Sequence, residues 1–198
     1  MFNIHKMDSD RLMPYIVSTG LILLVSSIFI PFPAVMFIQD MLFFSYDHLS
    51  FVRLTSTYFS FGVGMVWIAL VLFSFLLTKR HAEKKGKKYK LTALHFAFLL
   101  FGFLMFVLSI YHYYYLDENG AHSNSFWTVS ETSIAWTEVE EVSRVVKEDD
   151  YRVLSYTFKN DEKSVTIPYK TEDTDTAYTI KSVVENYGWE VEDNFTAE

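Results

Sequence analysis

The chain has 198 residues, of which 51% are hydrophobic and 21% charged, with 19 Phe, 13 Tyr and no Cys. So much apolar and aromatic material exceeds what one soluble core of this length absorbs, and the missing cysteines exclude a disulfide framework, a thiolate nucleophile and any Cys-ligated metal centre. The net charge of −7 conceals two unlike halves: residues 1–116 carry ten Lys or Arg against five Asp or Glu, and residues 117–198 carry seven against nineteen.

Leu12 to Ile30 reads LMPYIVSTGLILLVSSIFI without a charge, and apolar character continues through PFPAVMFI to Ile38. At about 1.5 Å of rise per residue, such a run matches a hydrocarbon core of roughly 30 Å. Pro14 suits a first helical turn, whereas Pro31 and Pro33 end or kink a helix, so a span is expected near residues 12–32 with the next piece at the interface. Two more apolar runs follow and no small-x-small cleavage pattern precedes Pro31, so Met1 onward is expected to be retained rather than cleaved as a signal peptide.

The second uncharged run is Leu54 to Thr78 and the third Leu91 to Leu116, with spans expected near 54–78 and 91–114. Ser56, Ser60 and Gly64 recur at four-residue spacing and offer a neighbouring helix a close approach. Between the two runs lies KRHAEKKGKKYK, whose basic residues are Lys79, Arg80, Lys84, Lys85, Lys87, Lys88 and Lys90, against the single acid Glu83. Short loops rich in Lys and Arg stay on the cytoplasmic side. The N-terminus, with Lys6 and Arg11, is expected on that side too, while residues 31–53 and the acidic half are expected outside. Attraction of this lipid-facing loop to anionic head groups, about 1 kcal/mol per residue near the surface, is a secondary effect. Nucleic acid is not expected as a partner, because Tyr89 is the only aromatic among these charges.

Beyond the third run, YHYYY at Tyr111 to Tyr115 fits an interfacial aromatic belt, and DENG at Asp117 to Gly120 fits a turn. Extended segments are expected at Ser125 to Val129, Ser133 to Trp136, Glu141 to Val146, Arg152 to Phe158 and Ser164 to Pro168. Val153, Ser155 and Thr157 alternate with Leu154, Tyr156 and Phe158, the pattern of a half-buried strand. From Asp175 to Tyr187 the period changes: Ala177, Ile180, Val183, Val184 and Tyr187 form one helical stripe, preceded by capping Thr and Asp and followed by Gly188. The fold class is therefore an α-helical membrane region with three transmembrane helices over residues 1–116, followed by a small α+β domain over 117–198.

The succession of a DENG turn, a strand carrying SIAWTEVEEV, a hairpin, a strand ending at IPY and a helix resembles the pleckstrin-homology-like domains attached to small bacterial membrane proteins. The strand ending in Trp136, Thr137, Glu138 and Val139 carries that resemblance, which covers Tyr111 to Val191. It implies a seven-stranded sheet or partial barrel closed by a terminal helix, of which five or six strands are legible, and a bacterial setting. No catalytic residues come with it.

Residue patterns add little chemistry. Trp136 and Trp127 suit core packing, with ligand stacking as the alternative, and Trp136, Glu138, Glu140 and Glu141 form a candidate partner-binding surface. The carboxylates do not follow a calcium-loop pattern, and His81, His95, His112 and His122 show no metal-ligand spacing. Nucleophile elbows, dinucleotide fingerprints and phosphate loops are missing, and the spans contain no Asp or Glu. The expected function is that of a non-enzymatic, cofactor-free membrane protein that binds, senses or regulates through an extracytoplasmic domain, in envelope stress or immunity. Membrane lipids and a protein partner or a second copy are its expected partners. The alternative is an accessory subunit of a transporter or channel.

Overall fold

In the computed structural model, which describes residues 8–197, the Asp8 carboxylate caps helix α1 (Ser9–Phe29) by accepting from the Asp10 amide. The helix ends where the next one starts. Ile30 N–H still donates to Ser26 O at 2.8 Å, and Pro31 opens helix α2 (Pro31–Phe43) at the position where a missing N–H costs nothing. After strand β1 (His48–Arg53) come helix α3 (Thr55–Lys84) and helix α4 (Thr92–Ile110). The described residues form two units, one of residues 8–38 and 55–110 and one of 39–54 and 111–197.

In the first unit, α1, α3 and α4 are each long and apolar enough to cross a bilayer. Their outward side chains include Ile28 and Phe59, 74% and 73% exposed, which a water-soluble fold would cover. The chain is a multi-pass membrane protein. Helix α3 packs against both other spans, and glycines bring the backbones together: a Cβ on Gly62 would lie 2.9 Å from Ser27 O, and one on Gly102 would lie 2.6 Å from Ile68. Gly64, but not Ser56, shares in this contact, so the small-residue pattern was only partly the right one.

The second unit holds two four-stranded sheets and a helix. The first sheet runs β1–β2–β3–β4, with β2 at Tyr113–Asp117, β3 at Gly120–Asn124 and β4 at Thr132–Ala135, all antiparallel. The second runs β7–β6–β5–β8, with β5 at Glu141–Lys147, β6 at Val153–Lys159, β7 at Ser164–Pro168 and β8 at Val191–Thr196, where β8 pairs parallel to β5. Neither sheet closes into a barrel. Helix α5 (Thr174–Tyr187) precedes β8; the Asp173 carboxylate caps it, and Gly188, at φ 67°, ends it.

Four features depart from the expectations above. The third span stops at Ile110, and Tyr113 to Leu116 continue as a strand because β1 and β3 satisfy their backbone groups from either side. Residues 125–129 are not a strand: Thr128 N–H donates to Ser125 O at 3.1 Å, and the Thr128 hydroxyl lies 3.0 Å from Asn124 Oδ1, so local bonds hold the segment as a turn. The linker between α2 and α3 supplies β1, so the second unit takes in residues 39–54 and starts its later part at Tyr111 rather than Asp117. Strand β8 follows the helix that was expected to end the fold.

Leu116, Ile134, Phe158, Ile167 and Ile180 are fully buried and draw on both sheets and α5 to make one core. Trp136 lies edge-on to Phe158 at 5.2 Å between ring centres, and its Nε1–H donates to Asp117 O at 3.0 Å. Gly120 sits at the tightest point, where a Cβ would come within 2.2 Å of Ile134 O. Gly120→Ala must push β3 off β4, and a loss of about 1–3 kcal/mol or more is expected in a denaturant melt of the second unit followed by near-ultraviolet circular dichroism.

Candidate functional site

Strand β1 helps set the geometry of a recess in the second unit. The Ser50 hydroxyl shares a hydrogen bond with the Thr176 hydroxyl, which also donates to Asp173 Oδ2 at 2.8 Å. The first turn of α5 is thereby tied to β1. The turn between β2 and β3 is equally fixed, since Asp117 Oδ1 accepts from the amides of Asn119 and Gly120 at 2.8 Å each. Between these elements lies a groove of about 410 Å³. Asp117, Glu118 and Asp175 give it three carboxylates, Tyr178 and Tyr187 give it aromatic faces, and Trp136 forms its floor. No lining residue is basic.

This lining suits a cationic side chain. A Lys or Arg entering the groove would meet carboxylates in a recess partly shielded from water and could lie against a tyrosine ring. Tyr187 is already stacked on Trp189, with ring centres 4.8 Å apart and 14° between planes, while Tyr178 is 76% exposed. The free ring is thus at the rim.

A second polar group lies on the first sheet. His48, Tyr115 and His122 stack in sequence across β1, β2 and β3, with centroid separations of 4.1 and 4.2 Å. Glu131 accepts from the Tyr115 and Tyr113 hydroxyls at 3.0 and 3.3 Å, and His122 Nδ1 lies 3.0 Å from its Oε1. Burial together with the Glu131 charge pushes the Tyr113 hydroxyl up to about 12 and raises Tyr115 as well. The other ring nitrogen of His122 faces Asp117 Oδ2 at 3.4 Å, so the two carboxylates address opposite sides of one imidazole. Among the described residues no set of three or more His, Asp or Glu is arranged to hold a metal ion.

The residues singled out in the sequence separate. Trp136 is 2% exposed and belongs to the core, because its indole fills the space between the sheets and its N–H is already bonded. Glu138, Glu140 and Glu141 are exposed, and Glu141 is paired with Lys159 Nζ at 3.1 Å. Trp127 is exposed and lies against Phe126, not Trp136. Of the seven basic residues, Lys79 is buried against Glu83 at 3.4 Å, while the other six are exposed. The groove residues that went unnoticed had a signal: Tyr178, Ser182 and Asn186 recur every four positions beside the apolar stripe of α5. Leu49 had none, since nothing local to β1 announces its partner.

Compared with known protein families, curated proteins and solved structures, the chain matches none of them.

Two histidines make this unit acid-sensitive. His112 Nδ1 lies 3.0 Å from Asn124 O, and burial lowers the pKa of His112 below the ordinary 6.5; burial also lowers that of His48. A depressed folded value means that the unfolded chain binds protons first. The stability due to these groups is complete above about pH 6.5 and is lost as pH falls from there through the folded values. Thermal unfolding of the full chain in detergent should show a falling midpoint below pH 6.5, and His112→Gln should flatten that slope.

Proposed function

We propose that this membrane protein is a binding and regulatory component whose second unit captures a cationic segment of a protein partner in the groove between α5, β1 and the β2–β3 turn. Glu118 and Asp175, two carboxylates in a lining that contains no Lys or Arg, carry this reading. The surrounding half of the chain, nineteen acids against seven bases, would draw such a partner in at long range. We read the resemblance to a pleckstrin-homology-like module as extending to an open, two-sheet form, and such a module on a membrane stem suits sensing or immunity at the cell envelope.

The topology that goes with this reading has the N-terminus and residues 85–91 in the cytoplasm and the second unit outside. Charge supports the direction, since the loop between α3 and α4 is the most basic segment of the chain. Strand pairing supports the alternation. Arg53 faces Tyr113 across β1 and β2, so a chain that leaves through α3 and returns through α4 must come back to the face it left.

Two measurements test the proposal. With the full chain in nanodiscs, a Lys- and Arg-rich peptide should bind with an affinity that falls about tenfold in the double variant Glu118→Gln, Asp175→Asn and stays nearly unchanged in Glu138→Gln, Glu140→Gln; equal losses would place the site elsewhere. In intact cells an impermeant thiol reagent should label Asp161→Cys and spare Lys88→Cys, and the reverse pattern would invert the topology.

A further inference from the structure

The loop between α3 and α4 is built rather than slack. Helix α3 carries the first part of the basic run and stops in a Schellman motif: Gly86 N–H donates to Glu83 O at 2.9 Å, Lys87 N–H donates to Ala82 O at 2.9 Å, and Gly86 takes φ 63°. Three residues on, Tyr89 is fixed from two sides. Its hydroxyl lies 2.8 Å from Thr78 Oγ1 and 3.0 Å from Nδ1 of the buried His95, and its ring meets Phe75 edge-on at 5.5 Å. Ser74 Oγ, 3.2 Å from His95 Nε2, completes the chain of polar contacts. The backbone between these two anchors has little freedom left.

What the anchors hold open is a recess of about 770 Å³. Lys85, Lys87, Lys88 and Lys90 line it together with His81, and none of its lining residues is acidic. The one acid of the run is engaged elsewhere, for Glu83 accepts from Ser9 N–H at 3.1 Å and pairs with Lys79. The apolar part of the wall is made by Leu77, seven residues before the end of α3, and Leu91, which immediately precedes α4.

We infer that this recess is a binding site for the phosphate head group of an anionic membrane lipid, with the lysines around the phosphate and the acyl chains descending past Leu77 and Leu91. Four ammonium groups without a counter-charge repel one another until an anion enters. A free phosphate ion would satisfy them but would leave the apolar wall without a role, and the recess lies at the charged connection between two membrane-length helices. This differs from diffuse attraction to a charged surface, which depends on how many lysines there are and not on where the backbone holds them. The site belongs to the first unit and stands independently of the acidic groove.

Native mass spectrometry of the full chain released from mixed micelles tests the inference, with phosphatidylglycerol, phosphatidylcholine and inorganic phosphate as probes. Phosphatidylglycerol should be retained at least about tenfold over phosphatidylcholine. Lys87→Gln, Lys88→Gln should remove most of that preference, whereas Arg80→Gln, Lys84→Gln, which deletes the same charge outside the recess, should keep it. Tyr89→Phe keeps every charge and loses the two hydroxyl contacts, and should weaken retention about three- to fivefold. Equal effects of the two double variants, an unaltered Tyr89→Phe protein, or inorganic phosphate displacing the lipid at equimolar concentration would each overturn the site.

Discussion

The pairing of β1 with β2 is the constraint on which the rest of the second unit depends. Residues 48–53 and 113–117 are far apart in the chain, with two membrane-length helices between them, yet they share a ladder from Arg53↔Tyr113 to His48↔Asp117. Without β1, the outer edge of β2 would present unpaired amides and carbonyls, and α5 would lose the Ser50 hydroxyl that meets Thr176. The groove would lose one wall. Closing a loop of this length carries an entropic cost that grows only slowly with length, so the long separation is tolerable once the spans are inserted. It also implies an order of events, since β1 is made first and has no partner until α4 has been completed.

The two units solve the same problem of buried polar groups in different solvents. In the membrane unit the backbone bonds are internal to helices, and close approach comes from glycine against backbone or ring, as at Gly62 and Gly102. Buried polar side chains there also find partners, as at His95, whose ring nitrogens are met by Ser74, Tyr89 and Leu91 O. In the second unit polar groups at the surface of the core are turned to structural use: the Trp136 indole N–H ends on Asp117 O, and the Glu131 carboxylate gathers Tyr113, Tyr115 and His122. Burying an unpaired charge would be costly in either unit, and the buried Lys79 is paired with Glu83 at 3.4 Å.

What could be read from sequence follows from how local each signal is. Three apolar runs announce themselves by length, and α5 by its stripe and caps, with Asp173 and Gly188 where the pattern puts them. Strands β5, β6 and β7 show alternation or turn chemistry and fall within a residue or so of expectation. The strand formed by Tyr113 to Leu116 was hidden because an aromatic strand and an interfacial belt have the same composition. Leu49 and Ser50 were hidden for a different reason: a short edge strand between two helices has no periodicity of its own, and its identity comes wholly from a partner more than sixty residues away. The groove shared that fate on its β1 side, while its α5 side was legible in the spacing of Tyr178, Ser182 and Asn186.

Trp136 joins the core to the groove through a single bond. Its ring lies against Phe158 within the core, and its N–H holds the carbonyl of Asp117, whose carboxylate fixes the turn at the groove's edge. A ligand that shifts this turn must alter the surroundings of the indole, whose emission responds to local polarity and hydrogen bonding. Trp136 is therefore an intrinsic optical reporter built beneath the groove, to be read in a chain whose other three tryptophans, Trp67, Trp127 and Trp189, have been replaced.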